Sequence, residues 1–217
     1  MENKKKILLL SKDKESTEII SSCLDKYGYE IYPVTDDFLF CIEVLDTDFD
    51  AVITGYIPTV EETEKIKKYV IQKKIEGSFI MINPSLGKDG KINPYFDNSN
   101  LKKIKELCLF ADIITPNYTE ALLMSNLSYK EECDEKDVEG IIFKLNSFGM
   151  AHKIVIPSVK IKGRGICTVV SEFGEVELVD NKNEVAVSPE FHSKYTALIL
   201  NELLSDKNIT DGAKNII

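Results

Sequence analysis

The chain has 217 residues, of which 43% are hydrophobic and 29% are charged. This balance is typical of a folded protein and excludes an intrinsically disordered chain. The formal net charge of -9 disfavours non-specific binding to nucleic acid or to an anionic membrane, because both depend on Lys and Arg that neutralise phosphates. A chain of this length can bury one substantial core, and we interpret residues 1–217 as a single domain.

The N-terminal segment and the cysteines favour a cytoplasmic location. Only four apolar residues follow the basic run at 4–6, too few for the core of a signal peptide or for a membrane span. The five cysteines are an odd number without a C-x-x-C pair, so the sequence indicates neither a disulfide framework nor a zinc ribbon. We expect a cytoplasmic protein with reduced cysteines.

Short apolar runs alternate with helical patterns over the first part of the chain. This alternation predicts β-α units and a mainly parallel central sheet with helices on both faces. The predicted strands are 7–10, 31–34, 51–54, 79–82 and 113–114. A helix closed by Gly28 follows the first strand, and another begins at about Thr59, where Thr59-x-x-Glu62 forms a capping box. A loop rich in Gly, Pro and Asn precedes a helix that carries apolar residues from 101 to 108.

The pattern changes towards the C-terminus. An amphipathic helix over 138–148 is closed by Gly149, and a buried strand follows at 154–156. Two apolar runs, 166–170 and 176–179, flank Phe173-Gly174, which predicts an antiparallel hairpin. Residues 185–187 lead into a last helix from about 192 to 204. The sequence therefore predicts an α/β protein with a C-terminal antiparallel hairpin.

Four segments, taken in order, carry a family resemblance. They are 54–56 (T-G-Y), 83–90 (N-P-S-L-G-K-D-G), 111–121 (A-D-I-I-T-P-N-Y-T-E-A) and 196–200 (T-A-L-I-L). They are similar to the T-G-Y, D-P-V-M-G-D-x-G and A-D-I-I-T-P-N-x-x-E-A motifs and to the helix after G-T-G-D in pyridoxal kinases of the ribokinase-like superfamily. The sequence resembles these kinases over roughly residues 50 to 205.

The resemblance implies a ribokinase-like fold and ATP-dependent phosphorylation of the 5′-hydroxymethyl group of pyridoxal, pyridoxine or pyridoxamine. It implies ATP and Mg²⁺ as cofactors, a B6 vitamer as the small-molecule substrate, and a homodimer. The implied site residues are Ser11, Gly55 and Tyr56 for the substrate and Lys88, Asn117, Glu120 and Ser158 for the nucleotide, with Glu120 also at the metal.

Asn117 and Glu120 have two interpretations. Mg²⁺ prefers oxygen ligands and keeps several waters, so one carboxylate and one amide can organise it through water molecules. The same spacing also suits a helix start, with Asn117 as the N-cap and Glu120 as its capping-box partner, and that role needs no ligand. The sequence leaves both interpretations open.

The phosphoryl-transfer segment departs from the family's pattern. In place of G-T-G-D the chain has Glu190, Phe191, His192 and Ser193. In the family the Asp accepts the proton of the attacking hydroxyl, and the glycines let backbone N–H groups approach the phosphate. Ser193 therefore stands at the position of the catalytic Asp, but a serine of ordinary acidity cannot replace it as a base.

Two acidic positions of the D-P-V-M-G-D segment are changed as well, to Asn83 and Lys88. Lys88 can meet phosphate as a point charge or simply be solvated. His152 and His192 are the only histidines, and without a paired cysteine or carboxylate spacing we interpret both as packing or surface residues.

These departures predict a pyridoxal kinase-like protein in which phosphoryl transfer is very weak or absent. The sequence does not settle whether the chain is an enzyme. One alternative is a noncatalytic pseudokinase that binds a vitamer or a nucleotide on the same fold. Another is a kinase for a different small hydroxyl compound, such as a hydroxymethylpyrimidine. The family's substrate-covering segment is not recognisable between residues 35 and 50, which also weighs against efficient catalysis.

Overall fold

An eight-stranded sheet runs through the protein in a computed structural model that describes residues 4–36, 47–181 and 188–216. Cys41, the predicted segment 185–187 and most of the region between 35 and 50 lie outside the described residues. In chain order the strands are β1 (Lys6–Leu10), β2 (Glu30–Val34), β3 (Ala51–Thr54), β4 (Phe79–Ile82), β5 (Gly87–Lys88), β6 (Lys91–Ile92), β7 (Ile113–Ile114), β8 (Lys153–Ile161), β9 (Gly165–Glu172) and β10 (Glu175–Asp180).

The order of strands in the large sheet is β10-β9-β8-β7-β4-β3-β1-β2, and β5 pairs with β6 in a separate hairpin. From β8 to β2 all neighbours are parallel, whereas β9 and β10 are antiparallel additions at one edge. The predicted mainly parallel sheet with a C-terminal antiparallel hairpin is confirmed.

Helices cover both faces of the sheet. They are α1 (Lys14–Asp25), α2 (Val60–Ile75), α3 (Asn98–Cys108), α4 (Tyr118–Ser125), α5 (Glu135–Ser147), α6 (Pro189–Leu204) and α7 (Ile209–Ile216). Buried residues of α2 to α5 form one core with Leu8, Val52 and Ile80, while α1, α6 and α7 pack on the opposite face with Ile7 and Ile53. Because both faces are covered, the parallel strands are apolar at nearly every position.

The helix ends follow the signals that the sequence contains. The Oγ1 of Thr59 accepts the backbone N–H of Glu62, so α2 begins where the capping box predicts. Gly28 and Gly149 have φ angles of +85° and +74° just after α1 and α5, a conformation that glycine adopts without steric cost.

Three features differ from the sequence-based expectation. Helix α6 begins at Pro189, not near His192, because the Oγ of Ser188 caps it by accepting the N–H of Phe191. The polar loop after β4 contains the hairpin β5–β6, and α7 had no predicted counterpart. No helix within the three described ranges is long and apolar enough to cross a bilayer.

Candidate active site

Most of the implied site residues lie just beyond the carboxyl ends of the parallel strands. Ser11 follows β1, Gly55 and Tyr56 follow β3, and Asn117 lies shortly after β7. Strands β1, β3, β4 and β7 are consecutive neighbours, so these residues share one edge of the sheet. Ligands of open parallel sheets bind at this edge.

The substrate-side residues form one contact group. The Oγ of Ser11 accepts the backbone N–H of Tyr56 at 3.1 Å and that of Asp13 at 3.2 Å. A Cβ on Gly55 would lie 2.7 Å from this oxygen, so only glycine permits the close approach of the two loops. The ring of Tyr56 stacks on that of Phe96, with centroids 5.6 Å apart. These contacts hold Ser11, Gly55 and Tyr56 together. Their contact with a substrate, which the resemblance implies, stays a prediction.

The nucleotide-side residues form a second group around the start of α4. Asn117 caps this helix, and its Oδ1 accepts the N–H of Glu120 at 2.9 Å. The Glu120 carboxylate accepts the N–H of Asn117 at 2.8 Å and that of Leu86 at 2.9 Å. Asn117 also donates from Nδ2 to the carbonyl of Gly87 at 2.8 Å. The capping box is therefore present, and it also anchors the start of the hairpin β5–β6.

Glu120 is a buried carboxylate. Its side chain is only 3% exposed, and burial raises the pKa from 4.5 to about 7. Hydrogen bonds from the backbone N–H groups of Asn117, Gly87 and Leu86 favour the charged form and oppose this rise in pKa. Glu120 therefore titrates near neutral pH.

This geometry does not fit direct coordination of Mg²⁺ by Glu120. Both carboxylate oxygens accept backbone N–H groups, and the side chain is closed off from solvent. Within the described parts of the chain, no three His, Cys, Asp or Glu side chains are grouped so that they could hold a metal. The contact through water that the resemblance implies for Glu120 and Asn117 stays a prediction.

The other two nucleotide-side residues, Lys88 and Ser158, lie on separate elements. Lys88 ends β5 with an exposed side chain, and the hairpin is tied to α4 again by the N–H of Gly90, which donates to the Oγ1 of Thr119 at 3.0 Å. Ser158 lies in β8 at the irregularity between Ile156 and Val159, with a φ of +63°. The structure places Ser158 beyond the end of β7, in the part of β8 that continues towards the carboxyl edge.

Ser193 is part of a helix, and its side chain is 3% exposed. Its Oγ donates to the Oγ of Ser16 at 3.1 Å, which donates to the carboxylate of Asp13 at 2.7 Å. Asp13 is in turn the N-cap of α1. Ser193, which stands where the family has its catalytic Asp, therefore makes a polar contact between α6 and α1.

The two histidines both make packing contacts. The ring of His192 donates from Nε2 to the carbonyl of Thr115, at 3.0 Å. Burial lowers the pKa of His192 to about 4, partly offset by this hydrogen bond. His152 lies before β8, at the opposite edge of the sheet, and stacks on Phe173 with centroids 5.2 Å apart.

Sequence reasoning missed Asp13, Ser16 and Thr119 as parts of this edge. Asp13-x-x-Ser16 is a recognisable helix-start spacing, which could have located α1, although not the contact between Ser16 and Ser193. That contact joins residues 177 apart in the chain, and local patterns contain no signal for it.

Comparison with known proteins identifies kinases of B6 vitamers. No family model matches the chain. A pyridoxine kinase of Bacillus subtilis is 21% identical over 194 residues, which cover 87% of this chain and 69% of the relative. The ADP complex of a Bacillus subtilis pyridoxal kinase superposes with a TM-score of 0.78 at 16% identity, covering 99% of this chain and 89% of that one.

A structure from Bacteroides thetaiotaomicron with pyridoxal superposes with a TM-score of 0.81 at 19% identity, covering 99% of this chain and 85% of that one. That protein is provisionally assigned as a phosphomethylpyrimidine kinase. The chain has the ribokinase-like fold. The resemblance to pyridoxal kinases found in the motifs is confirmed, because its neighbours in sequence and in structure include these enzymes.

Proposed function

We propose that this chain is a cytoplasmic pyridoxal kinase-like protein that holds a B6 vitamer and ATP at the carboxyl edge of its sheet, with very weak or no transfer of the γ-phosphoryl group to the 5′-hydroxymethyl. The assignment of ligands is supported by relatives whose structures contain pyridoxal or ADP. Ser11, Gly55 and Tyr56 are the proposed vitamer site, and Lys88, Asn117, Glu120 and Ser158 the proposed nucleotide site.

The first turn of α6 is the observation that supports weak or absent transfer. Residues 190–193 are helical, where the family's motif has two glycines. The N–H of Phe191 donates to the Oγ of Ser188, and the N–H of His192 donates to its carbonyl at 3.1 Å. These two N–H groups are therefore engaged inside the protein and are not available to a transferred phosphate.

A base for the attacking hydroxyl is also missing at the expected position. Ser193 is buried and bonded to Ser16, and the low pKa of His192 makes its neutral ring a weak base. If no phosphoryl group is transferred at all, the chain is a noncatalytic pseudokinase. The buried Ser193 favours this alternative over a kinase for another small hydroxyl compound.

Calorimetric titration tests the binding half of the proposal. ATP is titrated first and pyridoxal second, and both should bind. Tyr56→Ala should weaken pyridoxal binding by about tenfold or more, because it removes the aromatic face of the site. Tyr27→Ala is the matched control, since Tyr27 is 51% exposed and follows α1 at the opposite edge.

A product assay tests the catalytic half. Pyridoxal 5′-phosphate formed from ATP and pyridoxal should stay close to the level of a protein-free control. Robust turnover by the unmodified chain that is lost in Glu120→Ala would contradict weak or absent transfer, and would show that another group supplies the base.

A further inference from the structure

Two lysines face each other directly across the hairpin β5–β6. Lys88 pairs with Lys91 in the register of the two strands, and Gly87 pairs with Ile92. Residues that are directly opposite share one face of the ribbon, so both lysine side chains lie on the face away from the partly buried Ile92. Like charges in this position repel each other.

No carboxylate of the described residues forms an ion pair with either lysine. Lys88 and Lys91 are both exposed, and neither forms an ion pair or a side-chain hydrogen bond with the rest of the described chain. Asp89 at the tip between them forms no ion pair with either lysine. The hairpin is nevertheless held in place, by Glu120 at Leu86 and by Thr119 at Gly90.

Three acidic groups at the same edge have partners other than the lysines of the hairpin. Glu62 accepts from Lys12 at 2.5 Å, Asp13 caps α1, and Glu120 is enclosed by backbone N–H groups. Magnesium ordinarily reaches a polyphosphate through one or two carboxylates of the protein. Among the described residues, the hairpin therefore presents two exposed lysines beside one exposed carboxylate, that of Asp89, and so carries a net positive charge where a magnesium-dependent site would present carboxylates.

We propose that this chain binds a nucleoside polyphosphate without a divalent cation, and that Lys88 and Lys91 together supply the positive charge. The inference rests on the proposed function, in which ATP binds at this edge. Each ammonium group contacts phosphate oxygens, and the bound anion removes the repulsion between the lysines. Asn83 in place of a carboxylate leaves no negative charge at that position to oppose the anion.

Titration of ATP in EDTA and again in excess MgCl₂ tests this inference. Dissociation constants within about threefold of each other support it. Binding that is about tenfold tighter or more with MgCl₂ overturns it and leaves the proposed function standing. If ATP binds in neither buffer while pyridoxal still binds, both the inference and the nucleotide half of the proposed function are wrong.

Single variants test the role of the lysines. Lys88→Gln and Lys91→Gln should each weaken ATP binding in EDTA by about tenfold, whereas Lys88→Arg should retain it. Lys144→Gln is the matched control, because Lys144 is exposed in the last turn of α5 at the opposite edge. Urea unfolding should show both Gln variants at least as stable as the parent chain, because each relieves a like-charge pair. Unchanged ATP affinity in both variants overturns the inference.

Discussion

Glu120 shows how one buried side chain can serve the fold independently of any ligand. Its carboxylate joins the start of α4 to the segment before β5, and the side chain is 3% exposed. No cation lies among the causes of its pKa shift, which are burial and three backbone N–H groups. The charge of Glu120 therefore opposes folding even though its hydrogen bonds support it.

The first prediction is that Glu120 makes the protein more stable at pH 5.5 than at pH 8. Its pKa is raised from 4.5 to about 7 on folding, so between these values the folded state holds a proton that the unfolded state has released. Unfolding free energy therefore falls as the pH rises through this window, by about 1 to 3 kcal/mol from this residue.

Urea unfolding of the parent chain and of Glu120→Gln, from pH 5 to pH 8, measures this effect. The variant keeps the shape of the side chain but cannot titrate, so the difference in unfolding free energy between the two proteins should change with pH. Two parallel stability curves would show that Glu120 does not titrate in this window.

Gly55 and Ser11 provide the second prediction. Gly55→Ala should lower the unfolding free energy by about 1 to 3 kcal/mol, because the new Cβ would lie 2.7 Å from the Oγ and 2.8 Å from the Cβ of Ser11. In a Ser11→Gly background both contacts disappear, so the same substitution should cost much less. Urea unfolding of the parent chain, the two single variants and the double variant gives the coupling free energy between positions 11 and 55. Additive effects of the two substitutions would contradict this prediction.

The first turn of α6 is the element on which the proposed weak or absent transfer rests. It is stabilised by the cap at Ser188 and by Pro189 at the first helical position, features that favour a helix start. We therefore expect transfer to depend on the N–H groups of this turn, two of which Ser188 engages, as well as on the side chain at position 193.

The third prediction follows from this turn. Replacing 190–193 with Gly-Thr-Gly-Asp should raise the rate of pyridoxal phosphorylation, whereas Ser193→Asp alone should recover little. The loop exchange restores both a base and glycine N–H groups, which contribute about a hundred- to ten-thousand-fold and a hundred- to thousand-fold respectively. Single-turnover assays compare the two variants with Ser193→Ala. Equal increases in rate for the 190–193 exchange and for Ser193→Asp would show that the conformation of this turn does not limit phosphorylation.

The sequence predicted the central elements well and the site less completely. The predicted strand 51–54 and the helix cap at Thr59 are confirmed, because buried parallel strands and helix caps leave local signals. The reciprocal half of the predicted capping box differs, since the Glu62 carboxylate accepts from the hydroxyl of Thr59 and not from its backbone N–H. The apolar spacing predicts a start of α6 near His192, whereas the cap at Ser188 and the proline at 189 set it three residues earlier. Contacts such as Ser16 with Ser193 depend on the packing of distant segments, which no local pattern records.

At the scale of the molecule, helices α2 to α5 form one layer over the sheet and α1, α6 and α7 form the other. Strand β10 ends the sheet on one side, and Lys214 of α7 pairs with Glu177 of β10 at 2.7 Å. That residues 1–217 fold as one domain stays a prediction, as does the association of two chains.

The fourth prediction is that the protein is a homodimer in solution. It rests on the resemblance, since pyridoxal kinases commonly form dimers, and the acidic composition favours no other mode of association. Multi-angle light scattering at tens of micromolar should give twice the mass of one chain. A single monomeric mass over that concentration range would count against it.

The layer of α1, α6 and α7 joins distant parts of the chain. Tyr29 donates from its hydroxyl to the Oδ1 of Asn201 at 3.1 Å, and Lys5 donates to the carbonyl of Leu204 at 2.6 Å. During synthesis the central strands and α1 leave the ribosome long before α6 does. Until residues 189–216 have emerged, the cluster that contains Ile7 and Ile53 lacks the side chains that α6 and α7 contribute to it. A nascent chain paused before α6 therefore presents a hydrophobic sheet face, a surface of the kind that chaperones bind and that promotes aggregation.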